Sequence, residues 1–130
     1  MTTQMFPVLV VENPEATALW YRERLGFQSV ASLGWYEHLR DDRGHELGFL
    51  SPGQKNQVEP LRSTAATRGF AISFEVENLD TAWQTWGMRE RVLLEPIREE
   101  WGQYHFMVFD AAGIVVDGSD VDERAFAVSR

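Results

Sequence analysis

The run "GIVVDG", Gly113 to Gly118, sets an acid at the end of a β-branched stretch that reads as a buried strand. An interior carboxylate has to find a donor, a cation or a proton, so Asp117 is the first residue to ask about. Side chains alternate along a strand, so Asp117 shares a face with Val115. A bulged turn at Gly113 sets Phe109, Met107 and His105 from "GQYHFMVFD" beside them. A second set lies upstream: Tyr36 and His38 alternate in "WYEHLRD", and Glu46 opens "HELGFLS". Trp35 stands at a strand start and Trp101 in a loop, the places that rim pockets. Together they describe an aromatic wall with two imidazoles and one or two acids. That chemistry suits stacking on a planar, cationic compound, with the acids selecting charge. The same carboxylates and imidazoles are also the side chains that bind a divalent metal.

The rest of the composition narrows the options. With 130 residues the chain is sized for one domain, and 44% apolar and 25% charged residues are ordinary for a globular protein. Twelve basic residues against twenty acidic ones give a formal charge of -8, which repels nucleic acid and anionic membrane surfaces. There is no cysteine, so disulfides, thiolate nucleophiles and thiolate metal sites are excluded. The opening "MTTQMFPVLVVEN" has no positive flank, and its apolar run is too short for a signal peptide or a spanning helix, so the expected location is the cytoplasm.

The elements that must position these residues come twice. "FPVLVV" reads as a strand, Asn13 as a helix cap and Pro14 as a first helical residue, with Gly26 as the stop. Ala18, Leu19, Tyr21, Arg22 and Leu25 form the expected inward stripe of that helix. Three strand-like runs follow, separated by Gly34 and by Asp41 to Gly44. The polar stretch 52–68 is a linker or a flap. Then "FAISFEVENLDTAWQTWGM" starts the pattern again, with Val76, Glu77 and Asn78 matching Val11, Glu12 and Asn13. The second helix is expected from Asn78 to near Gly87, followed by "RVLLEP", "GQYHFMVFD" and "GIVVDG" as strands. Trp20, Trp83 and Trp86 fall on the helices as packing or interface residues. The fold class is α+β: two tandem βαβββ repeats forming a curved mixed sheet around a ligand trough, with helices on the outer face. Repeat one covers about 6–52, the linker about 53–68, repeat two about 69–120, and a tail 121–130 completes the single domain.

The doubled unit, with "ALWYRERLGF", "ISFEVENLDTAW" and "FDAAGIVVD", resembles the vicinal-oxygen-chelate superfamily over nearly the whole chain. That group includes glyoxalase I, extradiol dioxygenases, fosfomycin-resistance proteins and bleomycin-resistance proteins. In its metal-dependent members the resemblance implies four ligand positions, one on the first and one on the last strand of each repeat. They fall here at Phe6 and Ala71, which cannot bind a metal, near Glu46 or, in strict repeat register, Gly48, and at Asp117. The resemblance therefore points to the metal-free bleomycin-resistance branch. The expected function is sequestration of a small molecule without cofactor, with Trp35, Tyr36, His38, Trp101, His105, Met107 and Asp117 as ligand-binding residues. The alternative is a lyase or dioxygenase with a rearranged divalent-metal site in which Glu46 and Asp117 are ligands. A third reading is a dimeric module whose trough is filled by its own side chains, with exposed Trp83 and Trp86 as interface. The superfamily also implies a homodimer.

Overall fold

The computed structural model describes residues 1–65 and 67–121, Val121 by its backbone alone, so the tail expected at 121–130 lies otherwise outside the described residues. The chain divides into two compact units, Met1–Ala66 and Thr67–Arg130. Each runs strand, helix, three strands. In the first unit these are β1 (Val8–Val10), α1 (Pro14–Leu25), β2 (Gln28–Ser32), β3 (Tyr36–Arg40) and β4 (Glu46–Leu50). They form a four-stranded sheet in the order β1-β4-β3-β2, with β1 parallel to β4 and the other pairs antiparallel. The second unit repeats this with β5 (Ile72–Glu75), α2 (Leu79–Thr85), β6 (Arg91–Arg98), β7 (Gln103–Phe109) and β8 (Val115–Val121), in the order β5-β8-β7-β6. Among the described residues no helix is long and apolar enough to cross a membrane.

The local signals act as their chemistry demands. The Asn13 side chain accepts from the Ala16 amide at 3.0 Å, Pro14 occupies the first turn, and Gly26 closes α1 at φ 71°, where a side chain would be strained. Asn78 caps α2 in the same way, accepting from Thr81. This helix stops at Thr85, and a 3-10 turn, Gly87–Arg89, completes the stretch expected to be helical. β1 is also shorter than expected. Phe6 precedes it, and Pro7, which has no N–H to give a sheet, contributes only its carbonyl to the Gly48 amide. The stretch 52–68 holds a 3-10 turn at Glu59–Leu61, and Ala65 donates back to the Val10 carbonyl.

The inward stripe of α1 differs from the expected one. Pro14, Thr17, Ala18, Trp20 and Tyr21 are buried, whereas Leu19 is 47% exposed and Arg22 faces outward. Pro14, Thr17, Ala18 and Tyr21 keep the spacing of one helical face. The face is selected by Tyr21, whose ring stacks on Phe49 of β4 at 5.3 Å. Thr17 can join it because its hydroxyl donates to the Asn13 carbonyl.

In the second unit Phe106 of β7 is fully buried, with Trp83 and Trp86 at 5.3 and 5.2 Å. Both tryptophans are half-buried against this ring, less exposed than the third reading expected. Two glycines make room for the Phe106 ring. A Cβ at Gly87 would approach it to 2.6 Å and one at Gly118 to 2.9 Å. Phe106→Ala is therefore expected to lower unfolding stability by about 3–5 kcal/mol, measured by urea denaturation.

Candidate functional site

Within each unit the helix covers one face of its own sheet, and alternation places the candidate side chains on the other. On the first sheet Leu39, Leu47 and Phe49 are buried toward α1, so Tyr36, His38, Arg40, Glu46 and Gly48 lie on the helix-free face. On the second, Phe106 and Val108 are buried toward α2, which leaves Gln103, His105, Met107, Asp117 and Ser119 on the helix-free face. Pairing across β7 and β8 runs without interruption from Phe109↔Val115 through Met107↔Asp117 to His105↔Ser119. The turn is closed by Asp110, whose side chain accepts from the Ala112 and Ile114 amides, and Gly113 takes φ 84°.

Asp117 is 3% exposed, and its partner is His105, equally buried. His105 Nδ1 meets Asp117 Oδ1 at 2.8 Å, and its Nε2 meets Glu99 Oε2 at 3.1 Å. A ring with a carboxyl oxygen at each nitrogen is matched as an imidazolium, which has an N–H on both sides. Burial works against that charge, yet the hydrogen bonds to Glu99 and Asp117, with their negative charge, outweigh it and raise the His105 pKa above its ordinary 6.5. The second oxygen of Asp117 accepts from Ser73 and Gln103 at 3.1 and 3.2 Å. Gln103 also donates to Ser119 and accepts from the Trp101 indole N–H at 3.0 Å. One chain of hydrogen bonds thus runs from Trp101 through Gln103, Asp117 and His105 to Glu99.

The first sheet carries a different chain. The Tyr36 hydroxyl lies 2.6 Å from His38 Nδ1, and His38 Nε2 lies 2.5 Å from Glu46 Oε1. The other oxygen of Glu46 accepts from Arg40 at 3.0 Å and from Gln4 at 2.8 Å. Hydrogen bonds from His38 and Arg40 hold the Glu46 pKa below its ordinary value, while burial and the charge of Glu46 raise that of Tyr36. Phe6 meets the His38 ring edge-on at 4.5 Å, and Trp35 lies 6.2 Å from the Tyr36 ring.

The residues expected from the sequence separate into these two groups. Trp35, Tyr36, His38 and Glu46 are together in the first unit, and Trp101, His105 and Asp117 are linked in the second. Met107 is half-buried and pairs with Asp117 across the ladder. Gln103, Glu99, Ser73 and Arg40 were not anticipated. Gln103 and Arg40 lie two residues from His105 and His38, so strand alternation alone could have found them. Glu99 and Ser73 arrive from another strand or a turn, and no spacing announces them.

The four metal positions implied by the resemblance are a poor fit. Val8 pairs with Gly48 as Ser73 pairs with Asp117, so the counterpart of Asp117 in the first repeat is Gly48, and that of Glu46 is Val115. Phe6, Gly48 and Ala71 have no donor atom on their side chains, which leaves Asp117, already bonded through both oxygens. Among the described residues no group of three or more His, Asp or Glu side chains could hold a metal ion. The space at Gly48 is taken by Tyr36, because a Cβ there would collide with the phenol oxygen.

Two predictions follow from this geometry. A raised histidine pKa lends stability that is fully present below pH 6.5 and lost as the pH climbs through the higher folded value. Urea denaturation across neutral and mildly alkaline pH should show that decline in the wild type. His105→Gln should remove it and lower stability by about 3 kcal/mol at acidic pH, since it leaves two carboxylates without their cation. Gly48→Ala should displace the Tyr36 hydroxyl from His38 and destabilise the protein by about 1–3 kcal/mol, read by denaturation and by the His38 ring resonances.

The profile of the Glyoxalase/Bleomycin resistance protein/Dioxygenase superfamily matches residues 4–117. Among solved structures, a protein from Agrobacterium tumefaciens determined by solution NMR is 27% identical, with a TM-score of 0.72, covering 93% of this chain and 98% of that one. A lactoylglutathione lyase from the same organism is 19% identical, with a TM-score of 0.68 over 92% and 94% of the two chains. A glyoxalase/bleomycin resistance protein/dioxygenase from Nocardioides is 16% identical, with a TM-score of 0.74 over 93% and 84%. At such identities the last two likenesses are of fold alone. No curated protein matches by sequence. With the profile spanning most of both repeats, the chain belongs to the glyoxalase/bleomycin resistance protein/dioxygenase superfamily.

Proposed function

We propose that this chain is a metal-independent small-molecule-binding protein of the glyoxalase/bleomycin-resistance type, which sequesters a planar, cationic compound. The observation that carries the reading is Trp101. The residue is 53% exposed, yet its indole N–H is tied to Gln103. A large aromatic surface held open and already ordered loses little freedom when a flat ligand stacks on it. The Gln103 amide leads on to Asp117, His105 and Glu99, where two carboxylates against one imidazolium leave one negative charge over. That charge, and the formal charge of -8 on the whole chain, favour a cation. Asp117 acts here through the network, because its own oxygens are taken up within the sheet. Metal independence is supported by the side chains at Phe6, Gly48 and Ala71. Sequestration of a toxic compound by such a protein would confer resistance to it.

The test is a fluorescence titration with acridine orange, a flat cation, at dye concentrations too low for self-stacking, with and without EDTA. Binding should be indifferent to the chelator and about tenfold weaker in Trp101→Ala. Binding abolished by EDTA, together with near-stoichiometric metal in tag-free protein that disappears in Asp117→Ala, would instead establish a lyase or dioxygenase with a rearranged metal site.

A further inference from the structure

Of the three charged members of the second unit's network, Glu99 is the one that reaches solvent. The His105 and Asp117 side chains are 3% and 5% exposed, and that of Glu99 is 23% exposed. Asp117 has nothing left to give, since His105 holds one oxygen and Ser73 with Gln103 the other. Glu99 gives Oε2 to His105, and its Oε1 has no hydrogen-bond partner among the described residues. The surplus negative charge of the network therefore stands at Glu99, on an oxygen that can still accept. The backbone brings that residue close to Trp101. The Glu99 amide donates to the Gln103 carbonyl at 2.8 Å and the Gly102 amide to the Glu99 carbonyl at 3.0 Å, so Glu99 opens the tight turn between β6 and β7. Two peptide units separate Glu99 from Trp101, which keeps their Cα atoms within about 7 Å. Both side chains reach the same face, because Trp101 bonds to Gln103 and Glu99 to His105, alternate residues of β7 on its helix-free side. Arg98, the cation that precedes Glu99, lies over the Tyr104 ring at 4.1 Å, and Tyr104 points to Asp80 of α2 on the opposite face.

From this placement we infer that Glu99 is the charge-selecting residue of the Trp101 site, and that a flat ligand stacked on the indole gives a cationic N–H group to Glu99 Oε1. The inference rests on the binding function proposed above and names the group that recognises the cation. The ligand class becomes a planar heterocycle with a protonated nitrogen at its edge. His105 divides its single charge between two acids, so it does not neutralise Glu99. It does fix the side chain. A glutamate free on a turn spreads over many rotamers, whereas one held by Oε2 keeps Oε1 in place and loses little freedom when a cation arrives. Asp117 holds His105, His105 holds Glu99, and Gln103 holds the indole, so these three are positioning residues that act through Glu99 and Trp101.

The experiment titrates two compounds of one ring system in neutral buffer. Acridine is uncharged there, and 9-aminoacridine carries a proton on its ring nitrogen. Wild-type protein should bind 9-aminoacridine about fivefold more tightly than acridine. Glu99→Gln keeps an acceptor for His105 and removes the charge, so it should bring the ratio of the two affinities close to one while acridine binds as before. Glu100→Gln, at the exposed neighbour in the same turn, should leave the wild-type preference intact. Equal binding of both compounds by the wild type, or a preference that survives Glu99→Gln or is lost in Glu100→Gln, overturns the assignment of Glu99 and leaves the binding function standing. Loss of both compounds together in Glu99→Gln also overturns it, because that is the mark of a structural role. Failure of the wild type to bind either compound overturns the planar-cation reading itself, and this inference with it.

Discussion

A carboxylate shielded from water has to be matched where it stands, and in the second repeat that requirement at Asp117 sets the arrangement around it. His105 answers one oxygen, while Ser73 and Gln103 answer the other. The consequences spread along the bonds. Gln103, once held, has an oxygen to offer Trp101, and His105, once charged, needs a second carboxylate and finds it in Glu99. A buried ion pair is weak as a source of net stability, but each of its members is costly to leave alone. The network therefore behaves as a unit, and the position of an exposed ring is decided by a buried acid.

The first repeat solves the same backbone problem without that acid. Ladder pairing makes Gly48 the counterpart of Asp117 and Tyr36 the counterpart of His105, so a charge-matched pair in one sheet corresponds to a glycine and a phenol in the other. With no side chain at Gly48, Tyr36 folds over β4 and directs its hydroxyl to His38. The acid of this sheet sits two residues earlier, at Glu46, where Arg40 and Gln4 reach it. The two repeats share their topology and their capping asparagines, yet they have diverged into different polar chains. Fold and chemistry are separable in this superfamily, and here they separate within one chain.

Much of the architecture could be read before any coordinates. Asn13 with Pro14, Gly26, Asn78 and Gly113 are local signals whose backbone or hydrogen-bonding consequences need no distant partner, and each acts as expected. The return of Val-Glu-Asn announced the second repeat, and strand alternation put His38 beside Tyr36 and His105 on the face of Asp117. Where expectation and structure part, a long-range contact is responsible. The stripe of α1 turned because Tyr21 stacks on Phe49, which is remote in sequence. Trp83 and Trp86, expected as packing or interface residues, do pack, and the contact supplies the partner, Phe106.

The sequence by itself determined the element order, the duplication and the absence of thiol chemistry, because all of these follow from residue type and short-range geometry. Only the tertiary structure decided which strands pair in which register. That register makes Gly48, and not Glu46, the equivalent of Asp117, gives Asp117 to His105, and brings Glu46 to His38. Hydrogen bonds between residues eight to forty-four positions apart have no signature in local spacing. They exist only once the sheets have formed.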